Sequence, residues 1–316
     1  MDFKLVGWQD IVLKIPQDWE MVFATKPLKK KGKKETSYFG FRTSKKKMME
    51  LRWIEVGRRE IPDLDTIIND YFKTMRKQDK KIKKRTEKKL SVNGHFAKTL
   101  YWITEKATLH GYIVAWYCEE LNRIIILQSQ FSRDESNKVK DIINRILENT
   151  DCHPVDYKSW WVAPNLNILC PRSMKLEKQL FLVGLSFFQL RHPNFNLLCY
   201  RLGLANQKID NFEEFPNWFI NYYPKKLPNI PSEFKPETKE FNKMSFGKEK
   251  KEVWKYEKIR KQKRIKIIRS SNFQAFFWEN KDKNDIYVLI FKYKAKTVET
   301  IDSIIENIVK LAISNN

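Results

Sequence analysis

The sequence predicts an α+β protein that consists of two similar domains, and two observations support this prediction. Strand-like alternation and helix-like spacing of apolar residues both occur in each half of the 316-residue chain. In addition, Ala115–Leu147 in the first half is matched without a gap by Phe277–Val309 in the second. We therefore predict one domain at residues 1–152 and a second, diverged copy at residues 153–316. Each has about the usual size of a domain, ~100–150 residues.

The matched segments keep their apolar residues through a strand, a turn, a second strand and a helix. The matched pairs are Trp116 and Trp278, Leu127 and Leu289, Ile142 and Ile304, Ile143 and Ile305, and Ile146 and Ile308. Because strand and helix positions are both retained, we interpret the repeat as an internal duplication whose matched part forms the core.

The first strand of the chain is predicted near its beginning. Ile11, Leu13 and Ile15 alternate with Val12 and Lys14, and this period of two is typical of a strand. Pro16 ends the pattern because proline cannot donate a backbone hydrogen bond.

The segment Gly7–Trp19 reads Gly-Trp-x-Asp-Ile-x-Leu-x-Ile-Pro-x-Asp-Trp, a strand that ends in proline with a tryptophan soon after. This motif resembles the opening of the Mog1/PsbP-like domains. The resemblance implies that each half is a small α/β/α sandwich around a central antiparallel sheet. It also implies roles in binding and assembly rather than catalysis, and it carries no catalytic residues over to this chain.

The rest of the first half predicts strands, a helix and a hairpin. Strands are expected at Tyr38–Arg42 and Met48–Val56, and a helix begins at Pro62–Asp65, where an acidic side chain favours the helix N-terminus. The helix runs out into the basic stretch Arg76–Lys89. Two strands should follow, at Leu90–Trp102 and Tyr112–Tyr117, with a turn near residues 106–111.

The second half predicts the same order with altered loops. Strands are expected at Gly184–Leu190 and Asn196–Leu204, and a helix at Phe212–Tyr223. A proline-rich extension then replaces the basic stretch of the first half. The later hairpin, between Trp254 and Trp278, is longer than its counterpart, and the added residues are basic.

Net charge points to a polyanionic partner. The 61 Lys and Arg residues outnumber the 38 Asp and Glu residues, which gives a net charge of +23. The excess is concentrated in two tracts, Lys73–Lys89 and Lys248–Arg269. Cations placed on phosphates release counterions, so the tracts predict salt-dependent nucleic-acid binding. The candidate contact residues are Lys80, Lys81, Lys83, Lys84, Arg85, Lys258, Arg260, Lys261, Lys263, Arg264 and Lys266.

Aromatic residues next to the second tract could stack on bases, but we assign them to the core, because aromatic residues on strands usually pack inward. They are Trp254, Tyr256, Phe273, Phe276, Phe277 and Trp278.

The leading hypothesis is therefore a non-enzymatic protein that binds DNA or RNA as an accessory subunit of a larger complex. The alternative is a protein-binding adaptor or assembly factor, in which the same cations dock on an acidic partner surface. The sequence leaves both hypotheses open, and it does not distinguish DNA from RNA.

The four cysteines and four histidines do not follow the short spacings that are typical of a metal site. Cys152 and His153 form the one adjacent pair, and they fall in the predicted linker 149–156. We therefore expect surface histidines, small buried cysteines in reduced form, no metal and no cofactor.

Other kinds of chemistry and targeting lack support in the sequence. Asp63 followed by Glu87 and Lys89 mimics the metal-binding pattern of some nucleases, but Asp63 should begin a helix and the Lys-rich stretch supplies such matches by chance. No glycine-rich phosphate loop occurs. The start of the chain has no apolar leader and no apolar run approaches ~18 residues, so we expect a cytosolic protein without a membrane span.

Overall fold

The computed structural model describes most of the chain. The described residues are 2–24, 36–43, 47–57, 63–78, 82–106, 108–153, 158–163, 166–209, 211–222, 227–246, 251–258, 271–294 and 298–315. In this part the protein is α+β, with antiparallel strands and four α-helices. The chain divides into two compact units, Met1–Trp160 and Trp161–Asn316.

Unit 1 contains a hairpin, a seven-stranded sheet and two helices. Its elements are β1 (Phe3–Trp8), β2 (Ile11–Pro16), β3 (Glu20–Ala24), β4 (Thr36–Arg42), β5 (Lys47–Glu55), α1 (Leu64–Gln78), β6 (Ile82–Val92), β7 (His95–Thr104), β8 (Leu109–Cys118), β9 (Arg123–Ser132) and α2 (Ser136–Glu148). β1 and β2 pair with each other. The sheet has the order β3-β4-β5-β9-β8-β7-β6, so β9 is central and β3 and β6 are its edges.

The two helices of unit 1 cover opposite faces of this sheet. Ile68 and Phe72 of α1 pack in one buried cluster with Ile113 of β8 and Ile126 of β9. Successive residues of a strand point to opposite faces, so Val114 faces away from α1. Val114 lies beside Ile143 and Leu147 of α2. Helix α2 therefore packs on the other face.

Unit 2 also contains a seven-stranded antiparallel sheet. The remaining elements are β10 (Lys158–Ala163), which contains the unit boundary, β11 (Leu166–Pro171), β12 (Lys175–Leu182), β13 (Leu185–Arg191), β14 (Phe195–Gly203), α3 (Phe215–Tyr222), β15 (Phe241–Phe246), β16 (Lys251–Lys258), β17 (Ser271–Asn280), β18 (Asp285–Lys294) and α4 (Val298–Asn315). The sheet order is β12-β13-β14-β18-β17-β16-β15. Phe215 and Phe219 of α3 pack with Phe277 and Val288 in its core.

Most of the predicted strands and helices are confirmed, but the prediction for the basic stretch Arg76–Lys89 is corrected by the structure. Only its first residues belong to α1, and from Ile82 it forms the eleven-residue edge strand β6. A bulge at Arg85 interrupts the pairing of β6 with β7. Lysines on both faces and the bulge together conceal the period of two by which a strand is recognised.

The prediction also missed the turn between β6 and β7. Asn93 and Gly94 connect these strands and have φ angles of 48° and 79°. Two consecutive residues in the left-handed region form the tight hairpin turn that Asn-Gly favours. The predicted strand Leu90–Trp102 therefore folds back on itself, and His95 becomes the first residue of β7.

We predict that Gly111→Ala destabilises unit 1. Gly111 lies opposite Trp102 in the β7–β8 pair, and a methyl group there would stand 2.3 Å from the Trp102 ring and 2.4 Å from the backbone oxygen of Ser129. Because the indole is buried and cannot move freely, the free energy of unfolding should fall by about 1–3 kcal/mol. Urea denaturation measures the loss. Gly57→Ala is the matched control, since nothing lies within 4 Å of the added methyl group.

We also predict that Asp63→Ala lowers the melting temperature through loss of the α1 cap. Asp63 accepts hydrogen bonds from the backbone N–H groups of Asp65 at 3.1 Å and Thr66 at 3.2 Å. The Thr66 hydroxyl and these N–H groups lower its pKa below the usual 3.8. Because the pKa of Asp63 is lower in the folded chain than in the unfolded chain, its ionised form stabilises the fold at pH values above the unfolded pKa. This contribution is lost as the pH falls through the folded pKa.

The melting difference between the wild-type chain and Asp63→Ala should therefore be present at pH 7 and shrink below a pH of about 4. Thermal denaturation followed by circular dichroism across this range is the measurement. Asp70→Ala is the control, because Asp70 lies within α1 and pairs with the exposed Lys73. Equal melting temperatures for Asp63→Ala and wild type at pH 7 would contradict the cap.

Candidate functional site

Four of the eleven predicted contact residues lie in the described part of the chain. Lys83, Lys84 and Arg85 lie on the edge strand β6, and Lys258 ends β16. The other predicted contacts, which are Lys80, Lys81, Arg260, Lys261, Lys263, Arg264 and Lys266, lie outside the described residues.

The described cations do not form a single stripe. Lys83 lies 3.2 Å from Glu105, whereas Lys84 points to the α1 side of the sheet and donates to Asn69 at 3.2 Å. Neighbouring residues of a strand point to opposite faces, so a run of lysines is divided between two surfaces. Lys258 lies 3.6 Å from Glu240 and is about 28% exposed, which reduces its availability to a ligand.

A groove between α2 and strands β6 to β8 combines cations with aromatic rings. Its volume is about 470 Å³, and it opens beside Lys88 and Lys89 of β6 and Lys140 of α2. The sequence placed Lys88 and Lys89 in the first basic tract without naming them as contacts, and it did not single out Lys140. The remaining lining residues are Leu90, Thr99, Tyr101, Tyr112, Val114, Asn137, Ile143, Asn144 and Leu147.

Tyr101 and Tyr112 form the aromatic wall of this groove. Their ring centroids are 5.0 Å apart, and both side chains are half-buried. The Tyr101 hydroxyl contacts Nδ1 of His110, and burial raises the pKa of Tyr112. The two rings supply aromatic surface to the groove. The groove offers positive charge, ring surface and the amides of Asn137 and Asn144 at one place.

The aromatic residues near the second tract are core residues, as predicted. Tyr256, Phe273, Phe276, Phe277 and Trp278 are all at most 2% exposed. Trp254 is partly buried against the same core. The aromatic residues that do line a groove, Tyr101 and Tyr112, occur in unit 1 at positions where the sequence showed only a strand pattern.

A second feature of unit 1 is a cluster of two histidines and two cysteines. One ligand atom from each of His95, Cys118, Cys152 and His153 lies within 4.8 Å of the others. Nδ1 of His153 is 3.2 Å from Nε2 of His95, 3.5 Å from Sγ of Cys118 and 3.3 Å from Sγ of Cys152. We call these four residues the His-Cys cluster.

The fold assembles the His-Cys cluster from three separate segments. His95 begins β7 directly after the Asn93-Gly94 turn, and Cys118 is the last residue of β8. Cys152 and His153 follow Asp151, whose backbone N–H and C=O both bond to Val12 of β2, at 2.9 and 2.7 Å. This pair of bonds holds the chain beside the ends of β7 and β8.

Polar groups surround the cluster. The Glu120 carboxylate lies 3.6 Å from Nε2 of His95 and 3.6 Å from Nε2 of His153. Its pKa is lowered, first by its own backbone N–H and then by His153. The Asn93 amide lies 3.7 Å from Sγ of Cys152 and donates to it. The hydrogen bond between Cys118 and Cys152 raises the pKa of Cys118 and lowers that of Cys152.

The expectation about these residues is partly corrected. All four cysteines are buried, as predicted. His95 and His153, however, are not isolated surface residues, because the fold brings them into contact with each other and with two thiols. The available signal was the Asn93-Gly94 turn, which places His95 at the start of a strand. Its convergence with Cys118 and Cys152 depends on tertiary contacts.

Asp63, the first residue of the nuclease-like pattern, lies at the start of α1. Both oxygens of Asp63 accept hydrogen bonds from the first turn of α1, so this carboxylate is a helix cap.

Within the described residues, no helix is both long and apolar enough to span a membrane.

No protein-family model matches the chain, and no curated protein matches it. Among solved structures, it is similar to PsbP from Synechocystis sp. PCC 6803, with 11% identity and a TM-score of 0.37 over 48% of this chain and 92% of PsbP. The Ran-binding protein Mog1p of Saccharomyces cerevisiae has 8% identity and a TM-score of 0.30, over 48% of this chain and 96% of Mog1p.

The immunity protein TplEi of T6SS from Pseudomonas aeruginosa is similar along 98% of this chain and 96% of its own, with 8% identity and a TM-score of 0.32. PsbP and Mog1 give their names to the family that the Gly7–Trp19 motif resembles. At these identities and TM-scores, the likenesses assign no function to the chain.

Proposed function

We propose that the chain is a non-enzymatic accessory protein that binds nucleic acid through unit 1, along β6 and the groove beside α2. The observation that carries the proposal is the combination of Lys88 and Lys140 with the rings of Tyr101 and Tyr112 in one groove of about 470 Å³. Cations along a groove with aromatic side chains inside it are the arrangement by which proteins bind single strands.

Electrostatics supports a polyanionic ligand. The chain carries a net charge of +23, and Lys83, Lys84, Arg85, Lys88 and Lys89 all lie on the edge strand β6, divided between its two faces. Phosphates that pass this edge would displace condensed counterions, so affinity should be highest at low salt.

The tyrosines favour a single strand over a duplex. Bases in a duplex are stacked on each other and cannot enter a groove, whereas an unpaired base exposes both of its faces. The groove volume falls in the range of about 300–1,000 Å³ that small-molecule sites occupy, which suits a nucleobase with its sugar.

We also infer that the two domains predicted from the sequence, residues 1–152 and 153–316, arose by duplication of one α/β/α sandwich domain. Three observations support this inference. The two seven-stranded sheets have equivalent strand orders. Trp116 lies opposite Ile125, and Trp278 lies opposite Tyr287, so the gapless sequence match also pairs these two strand partners. All of these residues are buried.

A second candidate function is docking of an acidic protein. β6 is an edge strand, and an acidic segment that paired with it would gain backbone hydrogen bonds as well as contacts with its lysines. Attraction between the lysines of β6 and the acidic partner would then steer their association and favour this partner over others. This partner would place the chain in a larger complex without nucleic-acid binding.

We predict that Lys88→Gln/Lys140→Gln weakens binding to single strands. The measurement is the affinity as a function of salt, from ~50 mM upward, by fluorescence anisotropy with labelled single-stranded RNA, single-stranded DNA and duplex DNA. Each lost phosphate contact should reduce the slope of log affinity against log salt by ~0.7, so the double variant should lose ~1.4. The control is Lys281→Gln/Lys283→Gln, which removes equal charge from exposed positions of unit 2.

Two results would decide against the proposal. Absence of binding to every probe at ~50 mM salt would remove the nucleic-acid function, because phosphate-driven affinity is greatest there. Equal losses in the two double variants would show that net charge, and not the groove, governs binding. Copurification from the native host would then test the acidic protein partner.

A further variant set tests the second basic tract. Replacement of Lys258, Arg260, Lys261, Lys263 and Arg264 by Ala removes five cations of that tract. If the groove is the site, this variant should bind single strands nearly as tightly as the wild-type chain after correction for net charge. A larger loss than in the groove variant would move the site to unit 2.

We predict that Tyr101→Leu and Tyr112→Leu each weaken binding to a single strand at fixed salt. Leucine preserves apolar packing but removes the ring face, and loss of one stacked base costs about 1–3 kcal/mol, or roughly fivefold to 150-fold in affinity. Tyr117→Leu is the matched control, since that half-buried ring packs on the α1 side of the sheet. Unchanged affinity in both groove variants would exclude base stacking there.

A further inference from the structure

We propose that the His-Cys cluster binds one transition metal ion in a tetrahedral site of two nitrogens and two sulfurs, and that Zn²⁺ is the ion. This inference is independent of nucleic-acid binding, because none of His95, Cys118, Cys152 and His153 lines the groove. It depends on donor chemistry, on distances between the donor atoms and on the groups that surround them.

The donor set is the one that zinc prefers. Imidazole nitrogens and thiolate sulfurs bind Zn²⁺ strongly, and two of each form a standard closed structural site. Hard cations such as Mg²⁺ and Ca²⁺ require oxygen ligands, which the four residues do not supply. A tetrahedral arrangement of two sulfurs and two nitrogens is typical of zinc.

The separations between donor atoms agree with one central ion. Zn–N bonds of about 2.0–2.1 Å and Zn–S bonds of about 2.3 Å at tetrahedral angles place two nitrogens ~3.3 Å apart, and a nitrogen and a sulfur ~3.5 Å apart. The observed values are 3.2 Å from His95 Nε2 to His153 Nδ1, 3.5 Å from Cys118 Sγ to His153 Nδ1 and 3.3 Å from Cys152 Sγ to His153 Nδ1. The other donor pairs lie within 4.8 Å of one another, so movements of about 1 Å or less bring all four atoms to tetrahedral separations.

The surroundings match the requirements of a metal site. His153 directs Nδ1 into the cluster, and its Nε2 lies 3.6 Å from the Glu120 carboxylate. A carboxylate on the outer nitrogen orients a metal-binding histidine and fixes its tautomer. The Asn93 amide donates to Sγ of Cys152 and compensates thiolate charge. Both cysteines are fully buried, so the site excludes solvent on the sulfur side.

The proposed role of the ion is structural. Four protein ligands leave no open position for a substrate, which distinguishes this site from catalytic zinc. The ion would link the first residue of β7, the last residue of β8 and the segment that follows α2. Backbone bonds between Asp151 and Val12 already hold that segment near β2, and the ion would fasten its next two residues to the sheet.

The test uses the full-length chain, purified without chelator and under reducing conditions. Elemental analysis should find about one zinc ion per chain, as expected for a site of this affinity. After metal removal, titration with Co²⁺ should produce the visible absorption of tetrahedral cobalt and a thiolate charge-transfer band, saturating at one equivalent. This cobalt signature needs no variant, so it stands even if substitutions in the cluster prevent folding.

Variants then identify the ligands. Cys118→Ser and His153→Asn should lose the metal and the cobalt spectrum. Glu120→Gln should retain tetrahedral absorption but bind about 10–100-fold more weakly, since it alters only a group beside the ligands. Cys170→Ala and Cys199→Ala are matched controls, because both thiols are buried elsewhere and should leave metal content unchanged.

Two results would overturn the inference. One is a folded, reduced chain that contains no stoichiometric metal and gives no cobalt spectrum. The other is a disulfide between Cys118 and Cys152, identified by peptide mapping and by two reactive thiols instead of four in the unfolded chain. Retention of metal in both ligand variants would also contradict the assignment of these residues.

Discussion

The antiparallel pairing of β8 with β9 is the constraint on which unit 1 depends. β9 is the central strand of the sheet, and Trp116, fully buried, lies opposite Ile125. A shift of one residue would move every side chain of a strand to the opposite face, so that the residues fitted to α1 would meet α2 and the reverse. Packing of α1 on one face and α2 on the other therefore permits only this register.

This register also decides what the two candidate sites contain. Tyr112 and Val114 face α2 and line the groove, whereas Ile113 and Ala115 face α1 and join the core. At the end of the same strand, Cys118 pairs with Arg123 and projects toward His95 and His153. One strand thus supplies a ring to the groove and a thiol to the His-Cys cluster.

The two units differ in the side chains at equivalent strand ends. The gapless match of the two halves places Asn280 at the position of Cys118, and its continuation places Ser314 and Asn315 at those of Cys152 and His153. The second half of the chain therefore retains the apolar scaffold without the ligand set. Buried positions are constrained by packing, whereas residues at strand ends can change without loss of the core, so new chemistry arises there more easily.

The sequence by itself determined the α+β class, the apolar scaffold and the segments that carry excess charge, because period and composition are local properties. It predicted α1 with Asp63 at its N-terminus, and it predicted burial of Phe277 and Trp278. It did not determine which lysines share a surface, since a single bulge at Arg85 reverses the faces of β6. Only the tertiary structure placed His95, Cys118, Cys152 and His153 together, because contacts between three distant segments depend on strand pairing and helix packing that no local pattern encodes.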